Sequence, residues 1–414
     1  VPVVTLKPAE RFQKILGFGG AVTDASCYLF SQLDPAVRDA LVAELFSPTG
    51  FGFNVGRITV AQCDFGVVSY SYNDHPGDLA MDHFSIDYDR GYIIPLIRQA
   101  RELNGELFLL SSPWSPPGWM KTGGLMTGGW MRGEFLGPFA QYYLRFLQEY
   151  AKAGVKIQAL TTQNESETDQ LGLMPACLWH PELEMAFLRD HLSPLLRRQG
   201  LGDIELWVMD HNYIMWRRAA WMLEDAGLRS VVRGIAWHPY EGEETAMTRV
   251  HELHPEVDAH MTEWGGPFDE DMEAVCTRGL RFIDMMRNWS RSIFCWNLAL
   301  DERGKPHIGP FVQFDQNNGG GLLQIHSASR EVRRSSMLYA LGHFSKFVKR
   351  GAIRIGSDCD VGGIRQVAFI NPDGEHVVVL INEGAATEVS LVVGDRFTLV
   401  PLTPRSMSTV LFRL

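Results

Sequence analysis

Two carboxylates stand where chemistry could be done. Glu165 follows an apolar run, Val155 to Leu160, that gives way to Thr161-Thr162-Gln163-Asn164, and Glu263 follows a second run, Ala259 to Thr262, just ahead of Trp264-Gly265-Gly266. Buried parallel strands present reactive groups in this way, at their C-terminal ends. Glutamates on two such ends suit cleavage at a sugar carbon, one attacking and the other protonating the departing oxygen. Either glutamate alone reads equally well as an ion-pair residue on a barrel rim; the two together favour the catalytic reading. Glu165 is then the acid/base, which calls for a raised pKa, and Glu263 the nucleophile, which must stay ionised.

The elements that must hold this pair alternate. Eight strand-like runs cover Lys14 to Gly17, Phe53 to Ile58, Leu107 to Leu110, Val155 to Leu160, Ile204 to Met209, Val232 to Ala236, Ala259 to Thr262 and Ser292 to Cys295. Helical patterns fall between and after them: Asp34 to Phe46, Gly91 to Asn104, Pro138 to Gly154, Pro181 to Gln199, Ile214 to Ala226, Thr245 to His254, Met272 to Trp289 and Val332 to Phe347. This alternation predicts an α/β fold, a (β/α)8 TIM barrel, across residues 13–349. Beyond Lys349 the pattern changes to short alternating strands, with Asn371-Pro372-Asp373-Gly374 as a hairpin signal between two of them. Residues 350–414, joined by an N-terminal strand within 1–12, are expected to make a small all-β, sandwich-like side domain, since chain ends tend to lie close together.

Other residues just past the strands could complete a site. Arg57 could hold Glu263 ionised, and Asp64 could accept from two sugar hydroxyls, although an aspartate there is as readily a turn residue. Trp114 and Trp296 offer indole faces for a sugar ring or, equally, packing. Tyr240 could position the nucleophile by a hydrogen bond, Asn164 sits beside the acid/base, and His238 is a supporting residue whose bland reading is a satisfied structural histidine.

The bulk composition fits a neutral ligand. The chain has 414 residues, 45% hydrophobic and 21% charged, with a formal net charge of -11, which argues against a nucleic-acid partner. No apolar run is long enough to span a membrane. The chain starts at Val1 with no signal segment in view, so a soluble protein, secreted or cytoplasmic, is expected, and no feature sets an oligomeric state. Six scattered cysteines lack metal-ligand spacing and read as mostly buried free thiols, and neither a metal nor another cofactor is expected. Gly17-Phe18-Gly19-Gly20-Ala21-Val22 carries valine where a dinucleotide loop needs its third glycine.

Gly17-Phe18-Gly19-Gly20-Ala21-Val22-Thr23-Asp24, the stretch from Arg57 to Phe65, and Ser112-Pro113-Trp114-Ser115-Pro116-Pro117-Gly118-Trp119-Met120-Lys121-Thr122 together resemble glycoside hydrolase family 30, in its glucosylceramidase branch. Asn164-Glu165, Trp296-Asn297-Leu298-Ala299-Leu300 and Leu341-Gly342-His343-Phe344-Ser345-Lys346-Phe347 add to the match, which runs from about residue 15 to the C-terminus. The resemblance implies a barrel with a β side domain and a retaining mechanism. It assigns acid/base to Glu165 and nucleophile to Glu263, lines the sugar pocket with Asp64, Trp114, Asn164, Tyr240 and Trp296, and puts Arg57 beside the nucleophile. Hydrolysis of terminal β-glucosidic bonds is the expected activity, with β-xylosidase or endo-β-1,6-glucanase as alternatives and a non-catalytic carbohydrate-binding protein as a remote one. Ser166 replaces the proline that commonly follows the acid/base glutamate, and Pro239 replaces an aromatic residue. These departures fall on the leaving-group side of the prediction.

Overall fold

The computed structural model describes residues 1–308 and 320–414. Eight parallel strands close into a barrel: β2 (Gly17–Val22), β3 (Val55–Thr59), β4 (Phe108–Ser112), β5 (Ala159–Thr161), β6 (Glu205–Asn212), β7 (Gly234–His238), β8 (Asp258–Met261) and β9 (Ser290–Cys295). Pairing of β9 back onto β2, with Gly17 opposite Ser292 and Gly20 opposite Cys295, completes the ring. Before it comes β1 (Val3–Lys14). After it, β10 (Ala299–Leu300), β11 (Leu323–Ile325) and β12 (Val332–Arg334) form a small sheet.

The remaining strands, β13 (Ile353–Cys359), β14 (Ile364–Ile370), β15 (His376–Asn382), β16 (Thr387–Val393), β17 (Arg396–Leu402) and β18 (Ser406–Phe412), join β1 in a seven-stranded sheet ordered β17-β16-β1-β13-β14-β15-β18. Side chains alternate along each strand, so the sheet has two faces. One face gathers Val4, Leu6, Ile355, Val378, Leu380 and Leu391 into a core of its own. The other sends Val367, Phe369, Val377, Val379 and Ile381 into the main core, together with Phe282 and Phe344 of two barrel helices. The side domain is therefore packed on the barrel rather than tethered to it.

Several boundaries differ from the sequence pattern, for local reasons. The run Lys14 to Gly17 is not the first barrel strand: Lys14 closes β1 opposite Ile353, and the barrel begins with the glycine-rich segment itself. A Cβ at Gly19 would stand 1.9 Å from the Val55 carbonyl oxygen, so glycine lets β2 approach β3. The run Val155 to Leu160 contributes only its last two residues to β5. The helix expected from Val332 starts at Ser336, because the Ser335 hydroxyl caps it by accepting from the Leu338 N–H while Val332–Arg334 pair with β11. A helix at Asp24–Ser31 and strand β13 were not anticipated. Among the described residues no helix is long and apolar enough to cross a membrane. All six cysteines are free thiols, five of them buried and Cys359 partly so.

Inside the barrel lies an apolar layer of Val55, Phe108, Leu110, Ala159, Trp207, Ala236 and Phe294. Trp207 stacks between Phe108, at 5.9 Å, and the His260 imidazole, at 3.8 Å. This layer fills the barrel and forms the floor on which polar groups from the same strands are placed.

Candidate active site

The polar layer is built around Arg57. It follows Val55 by two positions on β3, so it points the same way into the barrel, and it is fully buried. Its Nη1 donates to Glu263 Oε2 at 2.5 Å, while Nη2 donates to Asp210 Oδ2 at 2.8 Å and to Asn164 Oδ1 at 2.8 Å. One guanidinium thus serves two carboxylates, which its fork of donors allows.

Asp210 reaches this position through a bulge. Met209 and Asp210 adopt positive φ of 76° and 51°, and the β6–β7 register shifts between Met209 and His211. Besides Arg57, the carboxylate accepts from Thr161 Oγ1 and Thr262 Oγ1, each at 2.7 Å, and lies 3.0 Å from His238 Nε2. Burial opposes its ionisation, but Arg57 and His238 outweigh burial and hold its pKa far below the usual carboxylate range. Asp210 was legible as a strand-end residue but not as the anchor of the network.

His238 ends β7 and bridges the two halves of the site. Its Nε2 faces Asp210, its Nδ1 lies 3.1 Å from Glu165 Oε1, and Nε2 is 4.0 Å from Glu263 Oε2. Burial favours the neutral ring, yet Glu263, Asp210 and Glu165 push its pKa up to about 9. Glu165 itself has a φ of 52°, a left-handed conformation of the strained kind that collects at functional positions. Its pKa departs from the expectation. Burial raises it, but the direct bond from His238 and the nearby His211 and Arg57 bring it below the ordinary value. Glu263 moves the other way: burial raises it and the Glu165 charge adds, against His238 and Arg57. The order is reversed from the sequence expectation: at Glu165 the His238 bond and the nearby cations outweigh burial, and at Glu263 burial with the Glu165 charge outweighs His238 and Arg57.

The cavity above these groups is about 590 Å³ and is lined by Asp64, Trp114, Asn164, Glu165, Tyr240, Glu263 and Trp296, all seven drawn from the predicted set. Tyr240 is 42% exposed, yet its hydroxyl turns inward, donating to Glu263 Oε1 at 2.9 Å and accepting from the Gly265 N–H at 3.1 Å; the ring forms the rim. Trp114 and Trp296 stack at 4.9 Å with their planes 18° apart, and the Arg57 guanidinium sits 4.8 Å from the Trp114 ring. Trp114 therefore gives one face to Trp296 and makes an aromatic wall rather than a free platform. Asp64 Oδ1 is buried without a hydrogen-bond partner, an acceptor left open at the cavity wall. Burial and the Glu263 and Glu165 charges raise its pKa well above the carboxylate range.

Sequence reasoning missed Gln170, Met174, Asn212 and Glu241, which also line the cavity. Asn212 closes β6, two residues past Asp210, and the other three lie on connections beyond the strand ends, where no periodicity points at them. One donor atom each from Glu165, His238 and Glu263 lies within 4.8 Å of the others, close enough for a cation. His238, however, has both ring nitrogens committed to carboxylates and is held protonated, so it has no lone pair for a metal.

The chain matches the family models described as the glycosyl hydrolase family 30 TIM-barrel domain, over residues 15–348, and the glycosyl hydrolase family 30 beta sandwich domain, over residues 351–410. It is 31% identical over 416 residues to putative glucosylceramidase 1 of Caenorhabditis elegans, covering 95% of this chain and 78% of that protein. It is also 31% identical over 395 residues to an endo-1,6-β-D-glucanase of Neurospora crassa, covering 91% of this chain and 80% of that enzyme. Among solved structures, SrfJ from Salmonella typhimurium superposes with a TM-score of 0.93 at 28% identity, covering 100% of this chain and 93% of that one.

Proposed function

The chain belongs to glycosyl hydrolase family 30 and is a glycoside hydrolase, and on that basis we propose that it cleaves terminal β-glucosidic bonds with retention of configuration. The spacing of the two glutamates carries this reading. An oxygen of Glu165 and an oxygen of Glu263 lie within 4.8 Å of each other, near the gap of about 5–5.5 Å that suits double displacement and short of the roughly 6.5–9.5 Å that admits a water between them.

Glu263 attacks the anomeric carbon while Glu165 passes a proton to the leaving oxygen; water then breaks the glycosyl ester as Glu165 takes back a proton. Arg57 and Tyr240 donate to the two Glu263 oxygens and fix the attack line. Asn164 gives its carbonyl to Arg57, which leaves its NH2 for the sugar 2-hydroxyl. Asp64 supplies its open oxygen to sugar hydroxyls, and Trp114 and Trp296 wall the ring. Glu165 and the His238 Nδ1 that faces it share one proton; a sugar that displaces water from the cavity favours the neutral carboxyl, which is the acid the first step needs.

A second reading, endo-β-1,6-glucanase, has its own support. Gln170, Asn212 and Glu241 make the pocket mouth polar, as a sugar leaving group prefers, and the Neurospora crassa glucanase is as similar as the glucosylceramidase. Aryl β-glucoside, aryl β-xyloside and β-1,6-linked glucan, assayed side by side with proton NMR of the first-formed anomer, test both. Glu263→Gln should lower turnover by at least ~10⁴-fold. Glu165→Ala should lose about 10²- to 10⁴-fold on poor leaving groups and recover with azide as a β-glucosyl azide. An α-anomer as first product, or xyloside preferred over glucoside, would refute the proposal. Internal cleavage of the glucan would move it to the second reading.

A further inference from the structure

We propose that Gln170 is a positioning residue for the acid/base glutamate and the first protein contact of the leaving group. The inference deepens the hydrolase reading and rests on it. Gln170 Nε2 donates to Glu165 Oε2 at 2.7 Å, while His238 Nδ1 faces the other oxygen, Oε1, at 3.1 Å. Each oxygen of the carboxylate therefore has one side-chain partner. Each oxygen keeps a second lone pair, so a glycosidic oxygen that takes a proton from Glu165 comes up beside one of these partners and crowds it. His238 is fully buried and anchored at its far nitrogen by Asp210, whereas Gln170 lines the cavity from a loop. Gln170 is the partner that yields.

Its loop is built to present it. Gln170 and Leu171 adopt successive positive φ of 50° and 54°, a conformation that residues other than glycine seldom take and that collects at functional positions. The turn is pinned on both sides. Thr168 Oγ1 accepts from the Gln170 N–H at 3.1 Å, Asp169 Oδ1 accepts from the Leu171 N–H at 3.0 Å, and the Leu173 N–H donates to the Gln170 carbonyl at 3.0 Å. The buried Lys121 ammonium donates to the Met126 carbonyl at 2.7 Å and the Ala176 carbonyl at 2.6 Å, tying this loop to its neighbour. The backbone is thus fixed and the side chain is the moving part.

During the first step the Glu165 proton passes from Oε2 to the glycosidic oxygen as the C1–O bond breaks. The displaced Gln170 amide then bonds a hydroxyl of the leaving group. When that group departs, the amide returns to Oε2 and stabilises the carboxylate that must accept a proton from water. Glu165 is also faced by His238, His211, Arg57, Glu263, Asp64 and Tyr240, none of which a Gln170 substitution removes.

The test compares Gln170→Met, which keeps the length and loses the N–H, with Gln170→Glu, which adds a charge. On a β-linked glucobiose, kcat of Gln170→Met should fall about tenfold, the loss of one hydrogen bond to a charged group. The fall on β-glucosyl fluoride, whose departure needs no proton, should be much smaller. The alkaline limb of kcat/KM should move to higher pH in Gln170→Met and further in Gln170→Glu. In a Glu263→Gln background, carbon-13 NMR of the Glu165 carboxyl should show its titration midpoint rising in the same order, a readout that needs no turnover. A midpoint unchanged by Gln170→Met, or equal losses on biose and fluoride, would overturn the proposal and leave Gln170 as loop packing. A wild-type protein that turns over neither substrate would refute the β-glucosidase reading alone, and the NMR titration would still decide whether Gln170 governs Glu165.

Discussion

Two buried histidines on adjacent strands, His238 on β7 and His260 on β8, show how differently one barrel treats the same side chain. His260 stacks on Trp207 of the apolar layer and has one hydrogen bond, Nδ1 to Ser292 Oγ at 2.8 Å; burial drives its pKa well below 6.5. His238 is at least as buried, but three carboxylates face it and push it up to about 9. Burial alone discharges an imidazole, and burial with counter-charges fixes its proton. The same contrast separates the two layers: Val55 and Arg57, two residues apart on β3, join the floor and the ion network respectively. The floor holds by filling space, and the network holds because every charge has a partner.

Substitutions in each layer should separate these modes. Arg57→Met leaves Asp210 and Glu263 buried without their cation, and should cost about 3–5 kcal/mol in urea denaturation together with most of the activity. Near-wild-type stability would mean that the network is not a unit. Leu110→Ala, in the floor, should cost about 2–5 kcal/mol through the cavity it leaves, with the shape of the pH–rate profile unchanged. The smallest effect, and the most diagnostic, is the pH dependence of stability. His238 binds its proton more tightly folded than unfolded, so its contribution is complete below about 6.5 and is lost as pH rises towards about 9. His260 has the opposite sign: its contribution is complete above about 6.5 and is lost as pH falls. Each slope is limited to about 1.4 kcal/mol per pH unit. Denaturation at a series of pH values should show His238→Gln flattening only the alkaline side and His260→Gln only the acid side.

Strand ends were the legible part of this molecule. Glu165, Glu263, Tyr240 and Trp296 follow apolar runs, and a parallel barrel has one chemistry-bearing rim, so their convergence followed from pattern alone. What escaped the sequence depends on contacts between distant residues. Lys14 to Gly17 looked like a barrel strand because its apolar residues match one; only the pairing of Lys14 with Ile353 shows that β1 still runs there. In β13, arginine, serine and aspartate interrupt the isoleucines, so no apolar run marks the strand. The reversed pKa order of the two glutamates needed the position of His238, and Gln170 needed a turn of two left-handed residues that no propensity predicts.

The place of β1 sets an order of assembly. Val3 pairs with Ser390 and Val4 with Cys359, so a strand that precedes the barrel is hydrogen-bonded on both sides by strands that follow it. During synthesis it must wait, with both edges open, while the whole barrel is translated. Contacts this far apart in sequence form slowly, and an unpaired strand is an invitation to another chain. Until the strands that follow the barrel are made, β1 is therefore a segment open to the wrong partner.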